Sequence, residues 1–144
     1  MERETPAKGV STGQFYSELR QCVKQAQDTL CMSNTDVAGV LGVSLNEYCL
    51  FLSGVKESIP DDASYRGYLL YNVYRNSWII FNDIIQVMEF FHSPLNWTKL
   101  SPKEMLMQGA GEFVVMYLNG RLDQHYQTVI LQDGGLSFTN LSHD

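Results

Sequence analysis

Apolar residues recur along most of this chain at gaps of three and four. From Gln14 onward, Phe15, Leu19, Cys22, Ala26 and Leu30 follow one another at gaps of four, three, four and four, which puts them on one helical face. The segment ahead of it, residues 1–12, is polar with Pro6 and Gly9 and reads as a loose lead-in. A second helix is expected from Asn34 or Thr35, with Val37, Ala38, Val40 and Leu41 apolar and Gly42 ending it in left-handed backbone. Ser44 can cap a third, short helix from Leu45 to about Leu52, which Gly54 ends.

The stretch Val55 to Ser64 holds Lys56, Glu57, Pro60, Asp61 and Asp62 and reads as a linker. Asp61 or Asp62 can cap the next helix and sit well against its positive end. That helix is aromatic: Tyr65, Tyr68, Tyr71, Tyr74, Trp78 and Phe81 recur every three or four residues, with Asn76-Ser77 as a point of interruption. The apolar pattern continues through Ile84, Ile85, Met88 and Phe91 to Ser93-Pro94. From Tyr65 to Phe91 the chain is apolar nearly all round, so part of this stripe is expected to serve as an interface.

Ser101-Pro102-Lys103-Glu104 is a helix start: a Ser N-cap, Pro in the first helical position and a capping-box acid. Met105 and Leu106 anchor that short helix, and Gly109 and Gly111 punctuate. A further helix is expected from Glu112 to Asn119, stopped by Gly120. Beyond it, the β-branched run Thr128 to Gln132, the turn signal Asp133-Gly134-Gly135 and the alternating Leu136 to Thr139 predict a short β-hairpin or an extended arm.

The chain has 144 residues, enough for one compact unit or two very small ones and for a core that needs no staple. With 16 acids against 10 bases the net charge is −6, so the overall field repels phosphate and DNA contact requires a local patch. Cys22, Cys31 and Cys49 are odd in number and lack close pairing, which argues against a disulfide framework or a zinc knuckle. Their apolar helical positions predict buried, inert thiols. The polar N-terminus does not resemble a secretory signal, and Trp78 to Phe91 is too short and too interrupted to span a bilayer. A reducing cytoplasm is the expected compartment.

No catalytic constellation stands out. His92, His125 and His143 are scattered without ligand spacing, no Ser or Cys sits in a nucleophile turn, and Gly109-Ala110-Gly111 lacks the context of a phosphate loop. Neither a metal nor a cofactor is expected, and the chain reads as a binding protein rather than an enzyme.

The strongest local pattern runs from Thr35 to Tyr48 and ends at Leu52-Ser53-Gly54. It has the spacing of a helix-turn-helix unit, with small Ala38 allowing a close crossing and Val43 and Leu52 filling between the helices. Thr35, Ser44, Asn46, Glu47, Tyr48 and Lys56 are its candidate DNA-binding residues. The presumed reading helix carries neither Lys nor Arg, and Lys8, Arg20, Lys24 and Lys56 are the nearby bases.

This unit resembles the DNA-reading part of Xre-type regulators. Further along, Phe81-Asn82-Asp83, Phe90-Phe91, Pro94, Ser101-Pro102, Met105-Leu106, Gly109-Ala110-Gly111, Val114 and Leu118 resemble the toxin-binding domain of the Xre-MbcA-ParS antitoxin family. Phe90-Phe91 replaces that family's usual Trp-Leu, and Trp97 and Leu100 stand where it has small residues. With the helix-turn-helix, the resemblance covers roughly half the chain.

The resemblance implies a mainly α protein with three parts: a helix-turn-helix domain over 1–58, a helical toxin-binding and dimerisation domain over 59–127, and a tail over 128–144. It implies an antitoxin that neutralises a RES-domain, NAD-consuming toxin, acts as a homodimer or a hetero-oligomer with the toxin, and takes operator DNA as a second partner. Trp97, Lys99, Arg121, Leu136, Phe138 and Asp144 are then the candidate partner-binding residues, with the tail reaching toward the toxin's active site. The alternative from another class is a stand-alone helix-turn-helix regulator with a C-terminal dimerisation domain.

Overall fold

The computed structural model describes residues 11–132, in which seven helices and no strand are found. Helix α1 spans Thr12–Thr29. Ser11 starts it, its Oγ accepting the Gln14 N–H at 3.0 Å, so the helix begins two residues before the expected Gln14. Its inward face is Leu19, Val23, Ala26 and Gln27, whereas Phe15 stays exposed.

Helix α2, Asn34–Leu41, opens with a full capping box. Asp36 donates its N–H to Ser33 Oγ at 3.0 Å, and the Ser33 N–H returns to the Asp36 carboxylate at 3.2 Å. Gly42 ends the helix at φ 75°, a left-handed conformation that costs a residue with a Cβ about 1–2 kcal/mol. Helix α3, Leu45–Ser53, follows at once, capped by Ser44 and ended by Gly54 at φ 87°.

Helix α4, Asp61–Phe81, is the spine of the fold. It packs on α1 and α2 along one side and on α7 along another. Gly67 sits at the crossing, where an added Cβ would lie 3.1 Å from Val23 and 3.2 Å from Leu41. Asp61 and Asp62 occupy its first turn rather than the cap position, which falls to Pro60. The expected interruption at Asn76-Ser77 does not occur. Ser77 is buried with its hydroxyl donating to the Tyr74 carbonyl at 2.9 Å, and the Asn76 amide donates to Asn72 Oδ1 at 2.7 Å, so both polar groups are satisfied within the helix without breaking it. The turn comes instead at Asn82, in left-handed backbone at φ 48°.

Helix α5 covers Ile84–His92 and α6 covers Pro102–Met107. The capping box at α6 is formed: Glu104 N–H to Ser101 Oγ at 3.1 Å, and Ser101 N–H to the Glu104 carboxylate at 2.9 Å. Lys103 ties α6 to α2 through Asp36 at 3.0 Å.

Helix α7 runs from Gly111 to Gln132, straight through Gly120. The expected stop at Gly120 and the expected strand over 128–132 are therefore both corrected to helix. A mid-helix glycine costs about 1 kcal/mol against alanine but does not forbid the helix, and Gly120 is not followed by proline. A strand also needs a neighbour to take its backbone bonds, and none exists among the described residues. The second arm of the expected hairpin, Leu136 to Thr139, lies outside the described residues.

Candidate functional site

Helices α2 and α3 with the turn Gly42-Val43-Ser44 hold the residues singled out for nucleic acid. Thr35, Ser44 and Asn46 are exposed, although the Ser44 hydroxyl is engaged in capping the Glu47 N–H at 3.0 Å. Glu47 pairs with Lys56 at 3.7 Å. Tyr48 departs from expectation: it is wholly buried and donates its hydroxyl to Gln27 Oε1 at 2.5 Å. It cannot face a groove. Successive helical residues turn by about 100°, so Asn46 and Tyr48 fall on opposite sides of α3. Tyr48 and Phe51 point inward, and Leu45, Asn46, Cys49, Leu50 and Ser53 point outward.

Sequence reasoning missed Gln27. It lies on α1, buried where α1 meets α3, and donates to the Met32 carbonyl at 3.2 Å and to Asn34 Oδ1 at 2.7 Å while accepting from Tyr48. Its signal was faint, a glutamine one position beyond the apolar face. Burial pushes the Tyr48 phenol well above its ordinary pKa.

The described bases near α3 are engaged. Arg20 donates Nε–H to the Phe51 carbonyl at 2.5 Å and stacks its guanidinium 4.6 Å from the Phe51 ring centre. Lys24 pairs with Asp28 at 3.1 Å, and Lys56 with Glu47. Lys8 lies outside the described residues. A phosphate on this face would have to draw these cations from their present partners.

A second constellation joins α4, α5 and α7. The Phe81 and Phe90 rings lie 5.4 Å apart, and Phe90 stacks on Tyr117 at 6.0 Å. Arg121 lies over Phe81 at 5.6 Å and donates to the Tyr117 hydroxyl at 3.0 Å. Beneath this half-buried cluster Phe91, Val114 and Leu118 are fully buried. Aromatic and arginine side chains held this way are the residue types that dominate protein interfaces.

Trp97 and Lys99 stand exposed on the loop between α5 and α6. That loop is pinned by Leu95 and Leu100, whose backbones bond at 3.3 Å and whose side chains pack on the core. The structure places Arg121 in the aromatic cluster, and Trp97 and Lys99 on the loop with no side-chain partner in it. Leu136, Phe138 and Asp144 lie outside the described residues.

The aromatic stripe of α4 divides between inside and outside. Tyr74 is buried and accepts from Gln25 at 3.2 Å, whereas Tyr65 and Tyr68 are exposed. Tyr65 donates to the Glu112 carboxylate, and that hydrogen bond pushes the phenol above its ordinary pKa. Exposed Phe113 and Met116 lie beside that contact on α7. Asp62, Tyr65, Arg66 and Glu112 line a cleft of about 260 Å³ there.

The thiols also differ from expectation. Cys31 and Cys49 are exposed and Cys22 is half-buried. Cys31 sits past the end of α1 in left-handed backbone at φ 57°, and Cys49 lies on the outer arc of α3. Burial raises the pKa of Cys22. His92 is held by its Nε2 at 2.9 Å from the Leu30 carbonyl. Among the described residues no group of three or more His, Cys, Asp or Glu is placed to hold a metal, and no helix is long and apolar enough to cross a membrane.

No model of a known protein family matches the chain, and no curated protein matches it.

Proposed function

We propose that this chain is the antitoxin of a type II toxin–antitoxin pair, binding and neutralising a RES-domain, NAD-consuming toxin in the cytoplasm. The observation that carries the reading is the cluster of Phe81, Phe90, Tyr117 and Arg121 over buried Phe91, Val114 and Leu118. Phe81, Phe90, Phe91, Val114 and Leu118, among the positions that resemble the toxin-binding domain, lie in this cluster with an arginine at its edge. Its work is binding rather than catalysis. Arg121, Trp97 and Lys99 contact the toxin, and the tail with Leu136, Phe138 and Asp144 reaches into the toxin's nucleotide pocket. The Asp144 carboxylate there stands in for phosphate.

The test is growth of cells carrying the toxin, with and without this chain and its Arg121→Ala variant. Rescue by the native chain and loss of rescue by the variant support the proposal. Failure of the native chain to rescue overturns it.

The second reading is a stand-alone regulator, favoured by the capped α2–Gly42–α3 arrangement. The engaged bases and the net charge of −6 weigh against tight DNA binding by a single chain. Operator repression therefore falls to an assembly that adds contacts. Titration of duplex DNA at two salt concentrations distinguishes the readings: tight binding by the isolated chain with a steep salt slope favours the regulator.

A further inference from the structure

The outward arc of α3 carries no charge. Leu45, Cys49, Ser53, Asn46 and Leu50 follow one another around about 140° of the helix, and all five are exposed. Leu45 is 46% and Leu50 37% exposed, and Val55 just past the helix is 74% exposed. Asn34 of α2 borders the arc, its amide 3.9 Å from the Cys49 sulfur. Glu47 on α3 and Lys56 on its flank pair at 3.7 Å.

We infer that this face docks a second copy of the chain, α3 against α3 about a twofold axis near Cys49. In such a contact each residue meets itself or a near neighbour, so any net charge on the face would meet its own sign. In a protein of net charge −6, a contiguous uncharged face is the one that escapes this penalty. The exposed aromatic face of α4 and α7 does not escape it, because Asp62 and Glu112 rim it against one cation, Arg66. Small Cys49 and Ser53 stand mid-arc and let two helices approach, while Leu45 and Leu50 on either side fill the grooves. Nucleic acid fits the arc poorly, since it offers phosphate no cation. The inference does not depend on the antitoxin reading.

The test uses the full chain with Cys22 and Cys31 replaced by serine, leaving Cys49 as its thiol. A short bismaleimide should yield covalent dimer, and added duplex DNA should leave that yield unchanged. Sedimentation equilibrium should show a dimer whose dissociation constant is the same in low and high salt. Leu50→Arg should raise that constant at least tenfold without altering the helical circular dichroism, and Asn46→Arg should act the same way should the first variant misfold. Tyr68→Arg should leave the dimer intact. A monomer at every concentration, a dimer split by Tyr68→Arg and spared by Leu50→Arg, or competition for Cys49 by duplex DNA overturns the inference.

Discussion

Replacing Tyr48 with Phe removes one oxygen from the centre of the α1–α3 contact and leaves the ring in place. No cavity is opened, so the effect is confined to polar bookkeeping around Gln27. Gln27 Oε1 loses its donor at 2.5 Å, in a side chain only 5% exposed. An amide flip does not rescue it, because Nε2 is already bonded to the Met32 carbonyl and Asn34 Oδ1. A buried acceptor left without a partner costs about 1–3 kcal/mol. For a chain of this size that corresponds to a melting temperature lower by roughly 4–12 °C. Urea unfolding followed by circular dichroism should show a lower midpoint and an unchanged slope.

The same residue gives an alkaline signature. Burial holds the folded phenol above its unfolded pKa of about 10. The stability from this shift is therefore whole below about pH 10 and is lost as pH rises toward the folded pKa. Tyr48→Phe should remove that part of the alkaline loss. A variant as stable as the native chain, with an unchanged alkaline limb, would refute the buried Tyr48–Gln27 pair.

Further changes probe other links. Ser101→Ala should cost about 1 kcal/mol through loss of the α6 cap, read by denaturant midpoint. Gly120→Ala should stabilise by roughly 0.5–1 kcal/mol, because Gly120 lies inside α7 with nothing within 4 Å of an added Cβ; destabilisation would show that the helix ends there. Gly109→Ala should destabilise by about 1–2 kcal/mol, since its φ of 82° is left-handed and the new methyl lies 3.3 Å from the Arg66 guanidinium. For Asp36, burial raises the pKa, but the Lys103 ammonium and the Ser33 hydrogen bonds outweigh it and leave the carboxyl lowered. Its stabilisation is present above the unfolded value of about 3.9 and lost as pH falls through the folded one, so Lys103→Met should flatten the acid limb of a stability profile.

The starts of α3 and α6 and the glycine ends at Gly42 and Gly54 were legible because each rests on chemistry local to three or four residues. Ser44 and Ser101 bond the N–H three residues on, and this needs no knowledge of the rest of the fold. The end of α7 was not legible. Gly120 and the run from Thr128 to Gln132 carry weak preferences that a long helix overrides, and the choice between strand and helix depends on whether a partner strand exists. The orientation of Tyr48 was a matter of phase. Asn46, Glu47 and Tyr48 are consecutive on α3 and cannot share a face, and the buried side is set by Gln27 and Phe51, which meet it only in the folded chain. The exposure of Cys49 has the same origin, since an apolar residue type does not choose between the inner and outer arcs of so short a helix, whereas Cys31 is exposed because it falls in the left-handed turn past the end of α1. At the candidate partner site, Phe81, Phe90 and Phe91 were marked by their spacing, while Tyr117 and Arg121, four residues apart on α7, meet Phe90 and Phe81 only in the folded chain.

The claim that this chain silences an NAD-consuming partner is tested most directly by enzyme inhibition. A RES-domain toxin is expected to be encoded beside this chain's reading frame; that product is purified, and its consumption of NAD is followed as the chain is added. The account predicts that consumption falls to background at a fixed stoichiometric ratio, and that Arg121→Ala requires a large excess to reach the same point. Undiminished NAD consumption at saturating chain, with the chain folded, would contradict it.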